Sequence, residues 1–184
     1  MNAIPTLVDE AVALLGTMPG RVVIGLTGPP GAGKTTMAET LVRQLNSATP
    51  GTAAYLPMDG FHLSNAVLDR FGRRGHKGCV DTFDVDGYVA ILDRVIGEYG
   101  DRDVFVPDFS RDLDEPIAAG GVVAAGSRLV VTEGNYLGLG DAGWAPVRRR
   151  LGRLYYIDCP AGVRPPAMCR LTRRVRRTSA GQSM

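Results

Sequence analysis

One stretch of the 184-residue sequence specifies a chemistry by residue type and spacing alone: Gly28-Pro29-Pro30-Gly31-Ala32-Gly33-Lys34-Thr35. It meets the pattern G-x-x-x-x-G-K-[ST] at every fixed position and lies between an apolar run and an amphipathic one. Glycines at 28, 31 and 33 let backbone N–H groups curl around an anion without side-chain clash. A helix starting near Lys34 would turn its positive dipole end toward the same anion. Lys34 can reach terminal phosphates, the Thr35 hydroxyl suits a magnesium ligand, and Thr36 can put its hydroxyl near an inner phosphate. A nucleoside triphosphate with Mg2+ is the expected ligand. Such a loop does not by itself separate a kinase from a GTPase, a motor or a passive nucleotide binder. The guanine-selecting element N-K-x-D is absent from the sequence.

Two acids follow apolar runs. Asp59 comes after residues 53–58, at the place where open parallel sheets hold their ligands. There it can accept the proton of an acceptor hydroxyl or hold a magnesium-bound water. Glu133 comes after residues 129–132, and an acid just past a buried strand is too costly to bury unpaired. It is expected to face the cleft and coordinate a metal. His62, Arg73, Arg74, Lys77 and Arg111 fall on long connections and would surround the cleft with donors, which suits a polar or anionic small molecule. Tyr136 and Asn135 are candidates to line the acceptor pocket. His62 and His76 are the only histidines, a weak basis for a metal centre.

Four ordered motifs then carry a resemblance over residues 20–160. They are Pro57-Met58-Asp59-Gly60-Phe61-His62; Lys77-Gly78 with Asp81-Thr82-Phe83-Asp84; Pro107-Asp108-Phe109-Ser110-Arg111; and Thr132-Glu133-Gly134-Asn135-Tyr136. Their order and spacing resemble the P-loop kinases of the uridine kinase, pantothenate kinase and phosphoribulokinase group. Within it they are most similar to a bacterial branch described as nucleoside/nucleotide kinase-like, which includes proteins read as sugar kinases. The resemblance implies ATP-dependent phosphoryl transfer to a hydroxyl of a small polar metabolite. It also implies that Asp59 activates the acceptor and that Glu133 stands on the magnesium side. Arg111 occupies the place where pantothenate kinases carry a histidine, which speaks against pantothenate as the acceptor. A nucleotide-binding or hydrolysing protein without acceptor activity, or an impaired relative, is the alternative reading.

The charge distribution draws attention to the end of the sequence. Of 21 basic residues, ten are arginines within 148–184, where Asp158 is the only acid, so residues 1–147 carry a net negative charge. Arginine favours forked contact with phosphate or carboxylate. Arg170-Leu171-Thr172-Arg173-Arg174 resembles the start of the lid helix of the kinase group, with Arg173 the first choice for the transferring phosphoryl group. After Arg174 the histidine usual in this branch is missing, and residues 162–184 read as truncated or diverged. Nucleic acid is a disfavoured partner for the same arginines, and a homodimer is left open.

These side chains need a scaffold. The composition, 45% hydrophobic and 22% charged, is that of a globular protein. No apolar run approaches the ~18 residues of a membrane span, and the first ten residues lack the basic start of a secretory signal. Three scattered cysteines, Cys79, Cys159 and Cys169, fit a reducing, cytoplasmic setting. Residues 21–27, 53–58, 104–106, 128–132 and 154–157 read as short strands. Helices are expected over 6–15, with Thr6 as cap, and over 34–45. Another should run from Asp84 to about residue 98, facing Val85, Val89, Leu92 and Ile96 inward. Two more are expected around 146–151 and 164–177. Residues 61–82 read as a long polar connection. The alternation predicts a single α/β domain over 1–184: a mostly parallel sheet with helices on both faces, the three-layer P-loop NTPase fold.

Overall fold

The computed structural model describes residues 3–141, 143–158 and 170–172. Helix α1 (Ala3–Thr17) leads into β1 (Val22–Thr27), the phosphate loop and α2 (Lys34–Ala48). β2 (Ala53–Pro57) passes into a 3-10 turn, Met58–Phe61, then α3 (Asn65–Arg70) and a second 3-10 turn, Arg74–His76. α4 (Val85–Gly97) precedes β3 (Val104–Ser110), β4 (Glu115–Val123) and β5 (Leu129–Glu133). α5 (Ala145–Arg150), β6 (Arg153–Asp158) and β7 (Arg170–Thr172) follow.

The main sheet has the order β2-β5-β1-β6-β7, parallel except for β7, which runs antiparallel to β6. Alternate residues of each strand enter separate cores. Ile24, Leu26, Leu129 and Val131 pack with Leu7, Ala11 and Leu14 of α1 and with Ala38 and Leu41 of α2. On the opposite face Val23, Leu56 and Val130 pack with Tyr88, Leu92 and Val95 of α4 and Val147 of α5. Both faces are covered, so the strands read as unbroken apolar runs in the sequence. The chain therefore has the expected α/β architecture, a largely parallel sheet between two layers. None of the described helices is long and apolar enough to cross a membrane.

Four local expectations are corrected. α1 begins at Ala3, so Thr6 lies inside it rather than capping it; Pro5 falls in the first turn, where a missing N–H costs no hydrogen bond. Ile96 lies on the outer side of α4, 37% exposed, while Tyr88, Leu92 and Val95 carry the burial. Residues 104–106 do not join the parallel sheet: among the described residues β3 pairs only with β4, a strand without a clear sequence signal, in a separate antiparallel hairpin. Residues Arg170–Thr172, expected in a helix, extend along β6 and complete hydrogen bonding at its outer edge.

Local chemistry fixes several joints. Asp84 caps α4 through the Gly87 N–H at 2.9 Å, in keeping with its place before the helix. Ser64 caps α3 through Val67 N–H. Arg21, buried before β1, donates to the carbonyls of Ser127, Val95, Ala124 and Ala125 at 2.6–2.9 Å. It ties α4 and the segment after β4 to the base of the sheet.

Candidate active site

The phosphate loop hangs between β1 and α2 at the carboxyl end of the sheet. Gly31 (φ 76°) and Gly33 (φ 79°) are left-handed, a conformation that costs side-chain-bearing residues energy and that aims successive N–H groups inward. No side chain caps α2 at Gly33, leaving its first-turn N–H groups to the loop's own interior. Lys34 is buried, with 7% exposure, and its Nζ donates to Pro29 O across the loop at 2.9 Å. Pro29, Pro30 and Gly31 lie at the outer rim, exposed, whereas Gly28 and Ala32 are buried. A Cβ at Gly28 would overlap the Ile157 carbonyl of β6, so the loop can leave β1 here only as glycine. Thr35 is half-buried and Thr36 exposed on the first turn of α2.

Parallel pairing sets the acids beside this loop. Pro57 and Leu26 are both register partners of Glu133, so the ends of β2, β5 and β1 lie abreast. Glu133 is 3% exposed. Its Oε1 accepts hydrogen bonds from Thr35 Oγ1 at 3.1 Å and from the Tyr55 hydroxyl at 2.9 Å. Burial pushes the Glu133 carboxyl above the ordinary range and the nearby Asp59 charge adds to this, while Tyr55, Thr35 and Lys34 pull it back. The Tyr55 phenol is driven up strongly, first by burial and then by the Glu133 charge. Behind the acid, the buried Tyr88 hydroxyl is hydrogen-bonded to Thr132 Oγ1.

Asp59 is half-buried in the 3-10 turn that ends β2. That turn is braced on two sides. Gly60 lies against the backbone of Pro107 in β3, and the His62 ring Nδ1 is 2.8 Å from Asp59 O. The His62 ring sits between Phe83 at 4.1 Å and Phe109 at 4.9 Å. Lys77 Nζ donates to Asn65 Oδ1 at 2.7 Å, to Asp114 Oδ2 at 3.0 Å and to Asp114 O, and it lies over the Phe109 ring. Tyr136 donates to Gly78 O at 2.7 Å, its ring in edge contact with Phe83. Arg111 is exposed in the turn joining β3 to β4.

The structure thus brings Lys34, Thr35, Asp59 and Glu133 together at one end of the sheet. His62, Lys77 and Tyr136 stand around the Asp59 turn with polar atoms engaged in bonds to the protein. Arg173, with Arg174, lies outside the described residues. Tyr55 is a site residue that the motifs do not point to: an aromatic in an apolar strand reads as packing, and only the β2–β5 register reveals its reach to Glu133.

No family model matches the chain. A Schizosaccharomyces pombe protein named "Putative uridine kinase" is 35% identical over 144 residues, which cover 76% of this chain and 60% of that protein. A solved structure from a Silicibacter species, described as a "putative fructose transport system kinase", matches with TM-score 0.76 and 32% identity, over 85% of this chain and 75% of that one. The chain belongs to the P-loop kinases of the uridine kinase group. A structure described as a "possible uridine kinase" from Bacillus stearothermophilus shares the P-loop kinase fold, with TM-score 0.62 and 20% identity over 85% of this chain and 80% of that one. The chain spans less than two thirds of the length of the S. pombe kinase relative.

Proposed function

We propose that this P-loop kinase transfers the terminal phosphoryl group of ATP to a hydroxyl of a small polar metabolite. The observation that carries the reading is Glu133 at the end of β5, hydrogen-bonded to Thr35 of the phosphate loop and in register with Pro57, the residue that leads into the Asp59 turn. Asp59 adds, beside this metal-side acid, a carboxylate able to take the proton of an acceptor hydroxyl.

The donor set fits a magnesium nucleotide. Left-handed glycines, a helix start and a buried lysine form an anion cradle. Among the described residues no cluster of three or more His, Cys, Asp or Glu could hold a metal by itself. Mg2+ typically takes one or two protein ligands together with phosphate oxygens. Thr35 and Glu133 would hold it, and when bound it would offset charge on the outer phosphates. Lys34 would neutralise the same oxygens as charge builds on them. Asp59 would accept the acceptor's hydroxyl proton as the new O–P bond forms and the bond to the departing ADP oxygen breaks. The arginines around residue 173 are proposed as the lid that excludes water.

An ATP-consumption screen over hydroxyl-bearing metabolites, with mass-spectrometric detection of the phosphorylated product, tests the reading. Lys34→Ala and Asp59→Asn should each abolish transfer, and only Lys34→Ala should strongly weaken ATP binding. Full turnover by Asp59→Asn would refute the role given to Asp59.

A further inference from the structure

We propose that Tyr55 is a positioning residue of the nucleotide site: its hydroxyl pins the Glu133 carboxylate so that Glu133 takes the Thr35 hydroxyl hydrogen and turns the Thr35 lone pairs toward the phosphate loop. The inference rests on the nucleotide-binding reading above and adds to it a residue that none of the phosphate-loop or acceptor motifs contains.

Sheet geometry makes the contact. Tyr55 and Val131 are register partners in parallel strands, so their side chains leave the same face of the sheet. Glu133 lies two residues beyond Val131 and shares that face, about 6.6 Å farther along the strand. This is the face against which α2 packs, and α2 carries Thr35. A shorter side chain at position 55 would stop short of Glu133, and phenylalanine would arrive without a donor. Tyrosine spans the step and ends in a hydroxyl 2.9 Å from Oε1.

The consequence follows from counting hydrogens. A threonine hydroxyl has one hydrogen and two lone pairs. At 3.1 Å from Glu133 Oε1 the Thr35 hydrogen is committed to the carboxylate, and its lone pairs are left for a cation. That commitment holds only while Oε1 stays where it is. The terminal torsion of glutamate has a broad, weakly defined minimum, so the carboxylate needs outside support. Tyr55 and Thr35 both donate to Oε1. Tyr55 is the donor that does not itself have to serve the ligand.

The test uses Mn2+ as a paramagnetic substitute for Mg2+, titrated onto the whole chain with a non-hydrolysable ATP analogue and followed by electron paramagnetic resonance. Changes to residues that orient metal ligands typically weaken metal binding 10–100-fold. Tyr55→Phe is therefore expected to weaken Mn2+ binding about 10-fold, while affinity for the analogue in EDTA stays within about twofold. A melting curve of the metal-free variant checks that the fold is retained. In a Glu133→Ala background, which removes the acceptor oxygen, Tyr55→Phe should have almost no further effect, because its action passes through Glu133. Unchanged Mn2+ affinity in Tyr55→Phe would overturn the proposal, as would an equal loss in both backgrounds. Absence of any analogue binding by the unaltered chain would instead sink the nucleotide reading on which it stands.

Discussion

Replacing Gly60 by alanine would put a methyl group into the joint between the Asp59 turn and the hairpin. The added Cβ would lie 2.7 Å from Pro107 O, 2.8 Å from its carbonyl carbon and 3.1 Å from Asp108 N. All three are backbone atoms, so no rotamer change can relieve the overlap; either the turn or β3 must move. The pairing of β3 with β4 already shifts register between Val106 and Asp108, and this irregularity forms the surface on which Gly60 sits. Overpacking of this kind costs about 1–3 kcal/mol. In a chain of this size each kcal/mol lowers the melting temperature by about 2–4 °C. A fall of roughly 4–8 °C is expected for a cost of about 2 kcal/mol. Asp59 is the preceding residue, and a shift of even about 1 Å at a reacting group can reduce turnover about 100-fold. The phosphate loop hangs from β1, not β2, so Mg-ATP affinity should stay within about twofold. Gly75→Ala is the control: nothing lies within 4 Å of the point its new methyl group would occupy, and it should change stability by no more than about 0.5 kcal/mol. Urea denaturation, calorimetry with Mg-ATP and the product assay read the three quantities. Wild-type stability in Gly60→Ala, or an ATP affinity that falls as far as turnover does, would refute the reasoning.

Other perturbations have equally definite outcomes. Arg21→Met removes a buried guanidinium from four carbonyls and should cost on the order of 3 kcal/mol in urea denaturation, with little effect on nucleotide affinity. Tyr88→Phe leaves the buried Thr132 hydroxyl without its partner and should cost about 1–3 kcal/mol by the same measurement. Glu133 titrates above its ordinary value in the folded chain, so the folded state holds its proton more tightly than the unfolded state does. Its contribution to stability is then fully present below the unfolded value of 4.5 and is lost as pH rises through the raised folded value. Glu133→Gln should accordingly melt higher than the unaltered chain at pH 7, with the difference shrinking toward pH 4, and should lose phosphoryl transfer.

The phosphate loop is legible in the sequence because its demands are local: glycines where the backbone must be left-handed or unobstructed, and a lysine and a hydroxyl at a fixed offset on a helix start. The parallel sheet is legible because strands covered on both faces leave unbroken apolar runs. β4 is not, because in Glu115–Val123 the branched residues Ile117, Val122 and Val123 are separated by two alanines and two glycines, which erases the alternation of a strand with one face in the core. It forms because β3 pairs with it on both sides of the register shift at Val106–Asp108, and this partnership follows from tertiary position. The same limit applies around Asp59. The sequence offers His62, Lys77 and Tyr136 as donors, but whether a donor meets a ligand or a neighbouring carbonyl depends on the loop that returns beside it. In the fold Lys77 meets Asn65 and Asp114, and Tyr136 meets Gly78. Tyr55 shows the reverse case, an apparent core residue whose hydroxyl reaches the buried acid through the β2–β5 register.

Titration calorimetry of Mg-ATP onto the folded chain, run beside Lys34→Ala, tests the central claim most directly. Saturable heat with one nucleotide per chain, lost in the variant, is the predicted result. A chain that melts cooperatively yet gives no heat with Mg-ATP or any other nucleotide would contradict it.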